Sequence, residues 1–344
     1  MLTDNFGTSG SSVQGIFYDG SPTGRFRIED SILMRNGFSH GDPKKLPWPP
    51  SGDQTWDLYS RNLYISGQTD FTRSGMFDSV SMMGASGDQF RPGGQIERNF
   101  FYQGYVGVGA HGGYPDAAGA TGAIRDNVLQ KFTGVGTKDN RGQPGWGLQL
   151  GGGAYGIEVS RNIVTGAQSP GTSPAFQFQP VYQDCYLKFT AATRSNLVKN
   201  NIFEAGPVSG AIKTVDGADP CYGVVLPGVR GNKVTDNALI SAKGIESEYA
   251  PAGSAVGTPS DTVFKNNRIF TSRAAAAAAM GWSAPDRTLK SFMTANGVAV
   301  TSSDGFPEYF EQATQQRRGQ WRSKWTSREL VNYFRGGFGM APLN

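Results

Sequence analysis

The sequence predicts an all-β solenoid, built of short parallel strands wound in stacked turns and followed by a helical tail. Three observations carry this prediction. A short unit, apolar-x-x-Asn-x-apolar, recurs along most of the 344 residues. The stretches between copies vary in length and are rich in Gly, Pro and Ser; glycine contributes 48 residues, about twice its average usage. After Phe270 the pattern stops and helical sequence begins.

The copies read Tyr59-Ser-Arg-Asn62-Leu-Tyr-Ile65, Ile96-Glu-Arg-Asn99-Phe-Phe-Tyr102, Ile124-Arg-Asp-Asn127-Val-Leu-Gln130 and Val159-Ser-Arg-Asn162-Ile-Val-Thr165. Val198-Lys-Asn-Asn201-Ile-Phe203, Val229-Arg-Gly-Asn232-Lys-Val234 and Phe264-Lys-Asn-Asn267-Arg-Ile-Phe270 continue the series. An early degenerate copy, Ile28-Glu-Asp-Ser31-Ile-Leu33, has Ser at the Asn position. Successive asparagines from Asn62 to Asn267 lie 28 to 39 residues apart. Each unit flanks a polar corner with apolar stretches too short for helices and too regular for loops. Asn tolerates left-handed backbone angles, and its amide can bond both its own turn and an identical Asn above it. No unit could bury its apolar face alone, so the copies must stack, with the asparagines forming a ladder at one corner. Propeller blades need more strands per repeat, and leucine-rich repeats need a helical segment and periodic Leu that are absent.

Before the first clear copy, residues 1–27 are Gly/Ser-rich with one expected strand, Val13-Gln-Gly-Ile-Phe-Tyr18. The first turn of a solenoid needs covering. No capping helix is legible, so either a loop covers it or the chain is the C-terminal part of a longer protein. The N-terminus has no basic segment followed by an apolar one and is not read as a signal peptide. No apolar run approaches the roughly 18 residues that span a bilayer, so no membrane partner is expected. Long Pro/Gly-rich insertions are expected over 41–57, 111–123, 137–145, near 168–174 and near 249–259, where they would wall a groove. After Phe270, Arg273–Met280 reads as a short helical or linker run, followed by helices near Asp286–Ala295 and around Pro307–Arg317. A last one starts at the capping-box pattern Thr326-Ser-Arg-Glu329 and ends at Gly336-Gly337. The division is therefore a solenoid over 1–272 and a helical cap or tail over 273–344. The tail cluster Gln315-Gln-Arg-Arg-Gly-Gln-Trp-Arg-Ser-Lys-Trp325 mixes basic and aromatic residues. It is read as part of a cap folded on the last turn with its charges solvated, and no nucleic-acid partner is expected.

The repeat, its Asn corner and the helical tail resemble the right-handed parallel β-helix of the pectate-lyase-like superfamily over roughly residues 10–272. That superfamily includes polysaccharide lyases, hydrolases, epimerases, tailspikes and adhesins, so the resemblance speaks to fold more than to activity. It implies a carbohydrate-active protein that is secreted, periplasmic or at the cell surface, with a polysaccharide partner. It also implies that the Asn corner follows the second strand of each turn, which puts the first strand 8–25 residues earlier. Those windows are Phe38-Ser-His40, Gln89-Phe-Arg91, Val108-Gly-Ala-His111, Leu148-Gln-Leu150, Phe176-Gln-Phe-Gln179, Ile212-Lys-Thr214 and Ile245-Glu-Ser-Glu248. Strand alternation sends Gln89, Arg91, His111, Gln149, Gln177, Gln179, Lys213 and Glu246 outward onto one face, the floor of the family's polysaccharide groove. His40 and the loop aromatics Tyr114 and Trp146 complete the expected substrate contacts.

β-Elimination on a uronate requires a group to neutralise the carboxylate, a base for the C5 proton and an acid for the leaving oxygen. Arg91, Lys213 and His111 are of those types, with Asp88 as orienter or metal ligand. Calcium-assisted chemistry needs several clustered acids. Asp88, Asp116 and Asp216 make no convincing triplet, so no cofactor is required, although calcium is compatible. Hydrolysis would need two carboxylates about 5–9.5 Å apart, with Asp78/Asp88 or Asp88/Asp116 as the candidate pairs. Cys185 and Cys221, with only two histidines in the chain, cannot make a zinc site; two buried thiols or one disulfide are both open. The expected function is a polysaccharide lyase acting on an acidic chain. The alternatives are a glycoside hydrolase on the same scaffold and a non-catalytic adhesin or tailspike-like binder.

Overall fold

The structure, a computed structural model, describes residues 1–4, 14–19, 23–37, 61–66, 70–84, 88–90, 93–104, 106–110, 120–132, 146–151, 153–166, 176–178, 193–206, 210–216, 231–249, 262–315 and 324–344. Among these, the chain is mostly β, with three long all-parallel sheets and four short helices. Sheet 1 stacks Gln14–Tyr18, Arg61–Ile65, Asp88–Phe90, Val106–Ala110, Trp146–Leu150, Phe176–Phe178, Ile212–Asp216 and Ile245–Tyr249. Sheet 2 stacks Arg27–Glu29, Gly75–Phe77, Gly93–Glu97, Thr121–Arg125, Glu158–Ser160, Leu197–Lys199, Lys233–Thr235 and Val263–Lys265. Sheet 3 begins with Leu2–Thr3, Ile32–Met34, Val80–Met82, Phe100–Tyr102 and Val128–Gln130, and ends with Ile163–Thr165, Ile202–Glu204, Ala238–Ile240 and Arg268–Phe270. The chain visits sheets 1, 2 and 3 in fixed rotation, so each turn pairs with the one before, as a parallel β-solenoid requires.

The turn from sheet 2 to sheet 3 is a two-residue corner. Its first residue is left-handed: Asp30, Asp78, Arg98, Asp126, Arg161, Asn200, Asp236 and Asn266 all have φ between 45° and 59°. This explains the Asp or Asn at six of these eight corners, because Asn and Asp tolerate that region best, whereas Arg98 and Arg161 adopt it without that advantage. The second corner residue supplies hydrogen bonds between turns. Nδ2 donates to the next turn's Oδ1 from Asn99 to Asn127 (3.0 Å), Asn127 to Asn162 (2.9 Å) and Asn162 to Asn201 (3.0 Å). The file continues from Asn201 to Asn237 (2.9 Å) and from Asn237 to Asn267 (2.8 Å). Each accepting Oδ1 also takes the backbone N–H of the asparagine a turn before. Each Nδ2 also reaches a sheet 2 carbonyl. At the first turns serine serves instead: Ser31 N–H donates to Ser79 Oγ, and Ser79 N–H to Asn99 Oδ1.

Two asparagines of the repeat lie elsewhere. Asn62 sits inside the sheet 1 strand Arg61–Ile65, where it accepts from Asn36 N–H and donates to Ser81 Oγ and Met82 O. The corner of that turn is Asp78-Ser79. Asn232 precedes its sheet 2 strand and accepts from Asn196 at 3.0 Å, and the corner of its turn is Asn237. Asn232 and Asn237 both satisfy an apolar-x-x-Asn pattern, and only the register of the neighbouring turns selects between them.

The interior is filled by one inward row from each sheet 2 and sheet 3 strand and the alternate residues of sheet 1. Sheet 3 differs from the others in being apolar at both parities: Ile32-Leu33-Met34, Phe100-Phe101-Tyr102 and Ala238-Leu239-Ile240 are buried throughout. A strand buried on both faces reads as a continuous apolar run. Its outer face is covered by the tail, helices α1 (Arg273–Met280), α2 (Leu289–Ala295), α3 (Phe306–Thr314) and α4 (Ser327–Gly337). Their apolar faces form a second core with Met34, Val80, Phe100, Tyr102, Val128 and Ile163.

The tail therefore does not cap the last turn. Val263 and Ile269 of that turn remain about half exposed, at 48% and 55%. Instead the tail runs back along sheet 3. Phe334 stacks on Phe100 at 5.3 Å, and the Arg35 guanidinium lies 3.7 Å from the Phe310 ring centroid. Arg335 of the tail pairs with Asp126 at 2.9 Å and Arg328 with Asp78 at 3.4 Å, while residues 316–323 of the basic and aromatic cluster lie outside the described residues. The expected capping box at Thr326 does not form: that side chain makes no capping bond, and Ser327 Oγ donates to Arg98 O at 2.7 Å. The box occurs at α2, where Thr288 and Ser291 cap each other's backbone N–H. Cys185, Cys221 and most residues of the expected insertions lie outside the described residues, although 121–123 belong to a sheet 2 strand.

Candidate functional site

Sheet 1 carries a register row of a different composition. Six of the seven expected first strands coincide with its strands; the Phe38–His40 window lies outside the described residues, and the strand of that turn is Arg61–Ile65. Cα register runs Phe17, Tyr64, Gln89, Gly109, Gln149, Gln177, Lys213, Glu246, one residue per turn. At about 4.8 Å between strands, this row is roughly 34 Å long. On either side, the rows Leu63–Val108–Leu148 and Ile65–Phe90–Ala110–Leu150 are fully buried. Gln89, Gln177, Lys213 and Glu246 therefore share one register row, out of phase with those buried rows. Lys213 and Glu246 are direct neighbours on it.

Two members were missed in the sequence. Phe17 is 54% exposed at the start of the row, and its ring centroid lies 5.6 Å from that of Tyr64. Assigning Asn62 to a corner hid the strand that carries Tyr64, yet the alternation Asn62-Leu63-Tyr64-Ile65 was present to be read.

Other expected site residues do not join the row. Arg91, His111, Gln179, His40 and Tyr114 lie outside the described residues. Gln149 is on the row but only 2% exposed, so it is not an open ligand contact. Trp146 pairs with Val106, at the parity of Leu148 rather than of Gln149. Asp88 is a correction: it shares the inward register of Leu63 and Val108, is 2% exposed, and neither lines the groove nor orients groove residues through solvent. Burial pushes its carboxyl up to about 7, against the opposing effects of the Ser81 hydroxyl, the Arg61 charge and the Leu63 N–H.

Of the candidate carboxylate pair Asp78/Asp88, Asp78 is engaged by an arginine and Asp88 is buried. Asp78 sits at the sheet 2–sheet 3 corner, where Arg98 grips it through Nε and Nη2 at 2.9–3.1 Å. Asp116 is outside the described residues, and Asp216 ends the strand Ile212–Asp216. Among the described residues no group of three or more acids, histidines or cysteines could hold a metal ion. Among them, too, no helix is long and apolar enough to cross a membrane.

No protein-family model, curated protein or solved structure matches this chain.

Proposed function

We propose that the chain is a carbohydrate-active, right-handed parallel β-helix of the pectate-lyase-like kind, with its asparagine file as that superfamily's ladder and the outer face of sheet 1 as a polysaccharide groove. The single observation that carries the reading is the register row of sheet 1, a long polar file bounded by buried apolar rows. Amides suit hydroxyl groups, Lys213 suits a carboxylate, and Phe17 on Tyr64 offers an aromatic face for a sugar ring. On this reading the activity is β-elimination on a uronate-containing chain. Arg91 and Lys213 divide between them the neutralising of the sugar carboxylate and the removal of the C5 proton, the base acting in its neutral form, and His111 protonates the leaving oxygen. The protein would act outside the cytoplasm, where such polymers occur.

The test is a screen of acidic polysaccharides for the ultraviolet absorbance of an unsaturated product, alongside reducing-end and binding assays. A lyase gives absorbance that Lys213→Ala reduces by at least ~100-fold, as expected when a charge-stabilising group is removed. Reducing ends without absorbance would replace the lyase with a hydrolase, and binding alone would make the chain an adhesin or tailspike-like protein. No binding to any acidic chain would overturn the reading.

A further inference from the structure

Asp88 is the one carboxyl in an otherwise apolar register row: its partners are Leu63 and Val108, and the row continues through Leu148, Phe176, Ile212 and Ile245. Its Oδ1 is out of contact with solvent and has no hydrogen-bond partner. It lines a cavity of about 10 Å³ at the turn from sheet 3 to sheet 1, together with Ser81, Gly84, Gln103, Gly107 and Gln130. That is room for about one water. A buried carboxylate oxygen without a donor is strongly unfavourable, and the remedies are a proton, a water or a paired cation.

The groups facing Asp88 from each packed element can be named. Arg61 comes from Arg61–Ile65 and Ser81 from Val80–Met82; Tyr102 and Gln103 come from Phe100–Tyr102 and its turn. Val106–Ala110 offers only Gly107 and Val108 there. Tyr102 and Gln103 both hydrogen-bond Asp304, which pairs with Lys131, so their polar ends are engaged on the tail side. Arg61 is thus the cation on the interior side, and burial of Asp88 outweighs its pull.

We propose that Asp88 and this cavity form a proton-operated latch inside the solenoid: the neutral carboxyl seats strand Asp88–Phe90, and loss of the proton admits water and loosens it. The latch lies directly beneath Gln89 on the outward row of sheet 1, yet it depends in no way on what that row binds.

The sign follows from linkage. The folded chain holds a proton that the unfolded chain has released, so stability is full at acid pH and falls as pH rises toward neutrality. Asn keeps the shape and cannot ionise. Urea unfolding of the full chain and of Asp88→Asn should give a ratio of unfolding constants, wild type over variant, that rises by up to tenfold per pH unit between about pH 4.5 and 6.5 and is level above about pH 8. A ratio independent of pH would overturn the latch. Should the variant fail to fold, infrared spectra of the wild type decide. A carboxylic-acid carbonyl band that persists near pH 6 and disappears above about pH 8 is expected, because ordinary carboxyls are already ionised there. Its absence at about pH 6 would overturn the proposal. As the band disappears, amide exchange in residues 88–90, corrected for intrinsic rate and compared with Ile163–Thr165, should accelerate; unchanged protection would show that no strand is latched.

Discussion

Sheets 1 and 3 are built from the same short parallel strands, stacked turn on turn, yet their register rows differ in composition. Outside sheet 3 the row Ile32, Val80, Phe100, Val128, Ile163, Ile202 is apolar and lies against the tail. The corresponding register row of sheet 1 starts with the aromatic pair Phe17 and Tyr64 and continues through Gln89, Gly109, a buried Gln149, Gln177, Lys213 and Glu246. The first face demands a cover, and the chain supplies it from its own C-terminus. The row of sheet 1 carries no such apolar run, and on the proposed reading it is the face that meets a ligand. Within a repeat protein, the outward residue of each turn decides whether a sheet serves stability or recognition.

The contrast can be broken most severely on the sheet 3 side. Phe334 is fully buried and stacked on Phe100. Phe334→Ala should destabilise the chain by about 3–5 kcal/mol, through lost burial and a residual cavity. Denaturant unfolding measures it, and a loss below ~1 kcal/mol would mean the tail is not part of the core. The corner file comes next. Asn162→Ala strips Asn127 of its acceptor, leaves Ile124 O without that donor and ends the bond to Asn201. At ~1–3 kcal/mol for each buried group left unsatisfied, a total near ~3 kcal/mol is expected, with protection from hydrogen exchange falling most in the turns on either side.

The smallest effect on stability belongs to sheet 1. Phe17→Ala, at an exposed position, should change unfolding by less than ~0.5 kcal/mol. It should nevertheless weaken polysaccharide binding measurably in a titration. A large stability loss there, with binding unchanged, would make Phe17 a packing residue and remove the aromatic end from the proposed groove.

How much was legible follows from the physics of each element. Ile96-Glu-Arg-Asn99 and its relatives could be read because their side chains serve the backbone of their own corner and the one above. Asn62 and Asn232 misled for the same reason that the others succeeded: buried asparagines cap backbone groups at more than one place in a turn. The first-strand windows from Gln89 to Glu248 held because alternation is a local property. The same rule, applied one residue further back, puts Asp88 beside Phe90 on the inside; its charge made it look like a surface group. The helices of the tail could be read from their periodicity. Their docking site could not, because an apolar helix face does not say which apolar surface it will cover.

The sequence by itself determined the stacked turns, most of their corners and six of the sheet 1 strands, since each repeats at short range and follows from what one residue type does to its own strand or turn. Only the tertiary structure decided that the tail lies along sheet 3 rather than over the last turn, and that Asp88 is sealed inside with Arg61 and Ser81. Those outcomes depend on contacts between residues far apart in the chain, where competing apolar surfaces differ in fit and not in kind.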